Sequence, residues 1–120
     1  MSGASEEKSF AFAVDVVNTA KMIRATHREY DLTSQFVRSG TSIGANVSEA
    51  QKAQSKRDFA AKMSIASKEA NETRYWIRLL RATGYLDEDT SKKLHGQVNE
   101  LIRLLTSIVK SSQENSEPNI

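Results

Sequence analysis

Cysteine is absent, which removes disulfides, thiolate metal sites and thiol nucleophiles together. The single proline is Pro118, so nothing in the body of the chain interrupts a helix on that account. No apolar run approaches the roughly 18–20 residues of a membrane span. The opening MSGASEEKSF carries acidic residues where a secretory signal needs a basic stretch followed by an apolar run. These absences predict a cytoplasmic protein with no membrane partner.

Histidine is limited to His27 and His95, too few for a histidine cluster within one chain. The Glu-x-x-His pair that a di-iron bundle projects inward occurs nowhere. His27 is expected on the buried side of its helix, and His95 in solvent or on the flank of the last helix. The glycines of G-T-S-I-G-A-N lack the lysine and the preceding strand of a phosphate-binding loop. No catalytic residue, metal or cofactor is expected.

What is present fits one domain of 120 residues, 38% apolar and 27% charged. A chain this small buries only about two-thirds of its unfolded surface, so association with further copies would add stability. The formal net charge of +2 is unevenly placed. Glu6, Glu7, Glu114 and Glu117 fall near the ends, and residues 8–111 hold 17 basic against 11 acidic side chains, a net of +6. Such a body attracts polyanions, more strongly when several copies are arrayed.

Apolar spacing divides the chain into four helices, with flexible ends expected over 1–5 and 112–120 and a bundle over 6–111. In the third segment Phe59, Met63, Ala66, Ala70, Thr73, Ile77 and Leu80 alternate in steps of four and three, a heptad seam widened by Trp76 and Leu79. Ser55 is its expected N-cap, with Asp58 three residues on, and Gly84 its stop. Leu94, Val98, Leu101, Leu105 and Ile108 repeat the pattern in the fourth, which starts at Asp87 with Glu88 and Asp89 in the first turn.

The first segment, from about Glu6 to Glu29, is expected to bury Phe10, Ala13, Val17, Ala20, Ile23 and His27 or their neighbours. The second, from about Leu32 to Ala53, carries a stripe of Leu32, Phe36, Ile43, Val47 and Ala50 through the small-residue block 39–46. Propensity alone makes that block a loop, since each Gly costs about 1 kcal/mol in a helix. The stripe stays in phase across it, which predicts one helix whose Gly40 and Gly44 let a neighbouring backbone approach closely. Links of about two to four residues then dictate an all-α, antiparallel up-down-up-down four-helix bundle.

The run Leu32-Thr33-Ser34-Gln35, Arg38 to Asn46 and Glu49-Ala50 resembles the four-helix bundle family linked to intervening sequences of large-subunit ribosomal RNA genes. Asp58-Phe59, Lys62-Met63, Ile65-Ala66, Lys68-Glu69-Ala70, Glu72-Thr73 and Tyr75-Trp76 continue the match over nearly the whole chain outside its ends. The resemblance implies a bundle assembled as a homopentameric ring. A relative in that superfamily is the accessory variability determinant protein of diversity-generating retroelements, a basic pentamer that binds nucleic acid and partners a reverse transcriptase.

Two sets of polar residues stand out on the helices. Asn46, Glu49, Glu69, Glu72 and Arg74 lie among seam residues, where charges persist only when paired. They are read as a structural network in which a glutamate pairs with Arg38 or Arg74, and alternatively as the lining of a ring channel. Lys52, Lys56, Arg57 and Lys62, with Arg38, form a basic surface expected to meet phosphate backbone of RNA or DNA. No aromatic platform alternates with them, so base-specific reading of single strands is not expected. The leading function is a non-catalytic oligomeric nucleic-acid-binding scaffold; the alternative is an adaptor ring offering the same rim to an acidic protein.

Overall fold

The computed structural model describes residues 3–116, with side chains described through residue 113. Those residues form four helices: α1 (Gly3–His27), α2 (Asp31–Ala50), α3 (Lys56–Ala82) and α4 (Glu88–Ser116). Helix therefore extends past the expected bundle boundaries at 6 and 111, by about one turn at each end. None of the four is long and apolar enough to cross a membrane, among the described residues.

The local signals act where the chemistry places them. Ser55 accepts a hydrogen bond from the Asp58 amide at 3.0 Å, and Asp87 from the Thr90 amide at 2.7 Å, each satisfying an otherwise unpaired donor of a first turn. At the end of α3, Gly84 takes φ +89°, where a glycine meets no steric penalty. The chain then folds back, with the Tyr85 and Leu86 amides donating to the Leu80 carbonyl and Leu86 buried beneath them. The links comprise residues 28–30, 51–55 and 83–87. Two of them are five residues long, slightly more than the spacing predicted.

Cross-helix contacts run in opposite senses along each neighbouring pair. Arg24 meets Thr33 while residue 9 meets Gly44; Thr73 meets Ser39 while Lys62 meets Glu49; Lys8 meets Glu100 while Asp15 meets Gln97. The bundle is therefore antiparallel, and measures 57 × 22 × 21 Å. The α3 and α4 seams close the core as their spacing predicts. Met63, Ala66, Ala70, Thr73, Ile77 and Leu80 are buried, Phe59 partly so, opposite Leu94, Val98, Leu101 and Leu105.

The block 39–46 is helical throughout. Thr41, Ser42 and Asn46 donate to carbonyls four residues back at 2.6–2.8 Å, which ties their polar groups to the helix itself. Ser39 and Thr73 join their hydroxyls at 2.9 Å in the interior and link α2 to α3. Gly40 and Gly44 face α1, as expected of a close-packing pair. A Cβ at Gly40 would stand 2.8 and 2.9 Å from the two Val16 methyls, and one at Gly44 would stand 3.4 Å from the Ser9 carbonyl oxygen.

The face of α1 turned inward differs from the one the spacing favoured. Phe12, Val16, Ala20 and Ile23 are buried with Ser5, Ser9 and Thr19, whereas Phe10 and His27 are exposed and Ala13 and Val17 half-buried. α1 is apolar on nearly every side, so its own periodicity cannot choose a face. Contact with α2 chooses, because only small or branched groups at 5, 9 and 16 fit against the thin side carrying Gly40 and Gly44. His27 instead packs edge-on to Tyr85 on the surface, ring centroids 5.1 Å apart.

Candidate functional site

The turn from α2 into α3 concentrates positive charge at one end of the bundle. Lys52 lies in the link, Lys56 and Arg57 in the first turn of α3, all three exposed and without an ion-pair partner among the described residues. The N-terminal pole of α3 adds a partial positive charge at the same place. Beside Lys56 runs a cleft of about 370 Å³, bordered by Gln51, Gln54, Ser55, Phe59 and, from α4, Ser112. Amides and hydroxyls beside unpaired cations can hydrogen-bond phosphate and sugar oxygens while the charges supply attraction.

The other two cations of the expected surface are engaged elsewhere. Lys62 donates to Glu49 at 2.9 Å, and that bond holds its ammonium above the ordinary lysine range. Arg38 lies eleven residues before Glu49, about 16 Å along α2. It bonds Glu72 and stands 3.5 Å from Glu69. Arg38 is thus held mainly within the structural network, and only Lys52, Lys56 and Arg57 form a compact set with no carboxylate holding them.

That network differs in membership from the expected one. Arg38 bridges Glu69 and Glu72, and Trp76 donates its indole N–H to Glu72 at 3.2 Å. Trp76 is half-buried and meets Tyr75 edge-on. Glu49 takes Lys62 as its partner, neither Arg38 nor Arg74. Arg74 bonds the side-chain oxygens of Asn71 and Asn99, both at 3.0 Å, and Asn46 bonds its own helix. Partner choice across helices depends on rotation and axial offset, which the spacing within one helix does not contain.

The Trp76 hydrogen bond is the largest influence lowering the Glu72 pKa, joined by the bond from Arg38 against the opposing effect of burial. Asp87 is lowered too, chiefly by the Thr90 amide. A carboxyl whose folded pKa is depressed contributes stability above its unfolded value and loses it as pH falls through the folded one. Stability is therefore expected to fall once pH drops below the usual carboxylate range near 4. Thermal unfolding at pH 7 and pH 3.5 checks this, with Glu72→Gln showing a smaller acid loss than the parent.

Among the described residues no cluster of three His, Asp or Glu side chains is arranged to hold a metal ion. His95 sits half-buried on the α4 flank, its Nδ1 3.1 Å from the Asn99 amide nitrogen.

One surface was not singled out from the sequence. Between α1 and α2 runs a groove of about 620 Å³, walled by Phe10 and Ala13, floored by Thr41, Gly44, Ala45 and Ser48, and rimmed by Glu6 and Glu7. Its signal in the sequence was the apolar character of α1 on all sides, which exceeds what one inward face requires.

Comparison with known proteins places this geometry. A family model described as "23S rRNA-intervening sequence protein" matches residues 5–107. The chain is similar to a crystal structure of a protein of unknown function from the S23 ribosomal protein family of Bacteroides thetaiotaomicron VPI-5482, at 44% identity with a TM-score of 0.87. The match covers 89% of this chain and 99% of that one. No curated protein matches.

Proposed function

The chain belongs to the 23S rRNA-intervening sequence protein family, and on that premise we propose that it is a non-catalytic, oligomeric scaffold that binds nucleic acid through phosphate. The observation that carries this is the set of Lys52, Lys56 and Arg57 around one helix start, exposed and unclaimed by any described carboxylate. One copy of such a set attracts a polyanion weakly. Several copies on one rim bind multivalently, because the second and later contacts form at high effective concentration.

The contacts are to backbone, so affinity depends on salt and little on base sequence. Structured RNA is the favoured ligand, in keeping with the ribosomal RNA setting of the family.

The test is binding of a labelled structured RNA and a matched DNA duplex across a salt series. Changing Lys52, Lys56 and Arg57 together to Ala is expected to weaken binding at least tenfold and to flatten the plot of log affinity against log salt. The flattening approaches about 0.7–0.9 for each phosphate contact removed. Arg38→Ala, which removes a cation already held by glutamates, lowers affinity less. Absence of binding at low salt by a protein of confirmed oligomeric mass overturns the proposal and leaves an acidic protein as the partner to seek.

A further inference from the structure

We infer that the α1–α2 groove is the socket for the α3 ridge of a second copy of this chain, so that copies join head to tail in a closed ring with every Lys52–Arg57 turn on the same rim. This deepens the oligomeric part of the function proposed above by naming the two faces that meet.

The first ground is apolar surface left uncovered. Phe10 is 71% exposed and Val14 is exposed beside it, on a helix whose inner face is already filled by Phe12, Val16 and Ile23. A helix apolar on all sides is stable in water only when its second face is also covered. Next to those side chains the outer side of α2 is low, formed by Thr41, Gly44, Ala45 and Ser48. Together they make a valley wide enough for a helix to lie in. A long side of the bundle measures 57 by 22 Å. Contact over roughly two-thirds of that side reaches the about 800 Å² that each partner contributes to a stable interface.

The second ground is that the chain carries the matching surface itself. On the outer side of α3, Ile65 and Tyr75 are exposed, Tyr75 by 54%, with Lys68 and Arg78 along the same ridge. Neither cation has an ion-pair partner among the described residues. The socket is apolar with an acidic rim at Glu6 and Glu7; the ridge is apolar with basic residues. The two are complementary in both respects.

The third ground is axial level, which decides between a ring and a filament. Contacts of Ser9 with Gly44, Glu49 with Lys62 and Ser39 with Thr73 set the heights of three helices against one another. They bring Ile65 to the height of Ala45, on the socket floor. A ridge and a socket at one height and on different sides of a rod are joined by rotation about an axis parallel to the rod, without translation. Repetition of that operation closes.

Mass in solution, read by sedimentation equilibrium without nucleic acid, tests the assignment. The parent chain is expected to be oligomeric, and Phe10→Glu in the socket and Tyr75→Glu on the ridge are each expected to be monomeric with unchanged helicity. An equimolar mixture of those two variants then forms a one-to-one heterodimer and nothing larger, because one intact ridge meets one intact socket. Ala45→Arg, which fills the socket floor from the other helix, supports the same conclusion should Phe10→Glu fold poorly. A monomeric parent, an oligomer that survives both socket substitutions, or Tyr75→Glu retaining the parent mass would each overturn the head-to-tail pairing. Changing Lys52, Lys56 and Arg57 to Ala leaves the mass unchanged, so failure of the interface and failure of nucleic-acid binding are read separately.

Discussion

Phe12→Ala is expected to lower the stability of the protein by about 3–5 kcal/mol, whereas Phe10→Ala, two residues away, changes the stability of the folded chain by no more than about 0.5 kcal/mol. Phe12 is fully buried among the core side chains, so truncating its ring removes transfer free energy and leaves a cavity that close-packed neighbours fill only partly. Phe10 has most of its ring in solvent, so its removal forfeits little within one chain. Urea denaturation at several protein concentrations checks both. The Phe12→Ala loss stays constant with concentration, and any Phe10→Ala loss that grows with concentration belongs to association. Equal losses for the two variants at every concentration would mean that α1 is rotated from the register described.

Gly40→Leu is expected to cost about 3 kcal/mol or more, and Gly44→Ala to be neutral or to stabilise by up to about 1 kcal/mol. The two glycines stand one helical turn apart on the same side of α2, yet their surroundings differ. A Cβ at Gly40 would press on both Val16 methyls, at 2.8 and 2.9 Å, and on the Val16 Cβ at 3.3 Å. Rotating the valine therefore exchanges one clash for another, and only separation of α1 from α2 makes room. At Gly44 the nearest atom is a carbonyl oxygen at 3.4 Å, ordinary contact, so the gain in helix propensity is retained. A cycle of Gly40→Ala with Val16→Ala localises the effect. The double variant is expected to be more stable than the sum of the single losses predicts, by about 1 kcal/mol. Thermal or urea unfolding of the four proteins measures that coupling, and additive losses would place the clash elsewhere.

Where one helix's own spacing carries the information, the sequence is legible. The α3 and α4 seams, the caps at Ser55 and Asp87, and the continuity of α2 through its small-residue block all follow from residues three to four apart on a single helix. The inward side of Gly40 and Gly44 was legible in the same way, since a stripe in phase leaves only one side for them. Legibility ended where two helices had to be set against each other. Glu49 could reach several cations on paper, and its capture by Lys62 follows from the offset between α2 and α3. That same contact removed Lys62 from the set of unpaired basic residues, as the Glu69 and Glu72 carboxylates removed Arg38.

The sequence by itself determined four helices, their order, the antiparallel arrangement that short links impose, and the basic residues around the α2–α3 turn. These are local properties, set by periodicity, capping and chain length, and each can be stated before any two helices touch. Tertiary structure alone decided which side of α1 faces inward, which cations remain unpaired, and which apolar side chains stay in solvent. Those outcomes depend on rotation and height of one helix against another, settled here by close approach at Gly40 rather than by any preference of α1, whose apolar residues point in every direction.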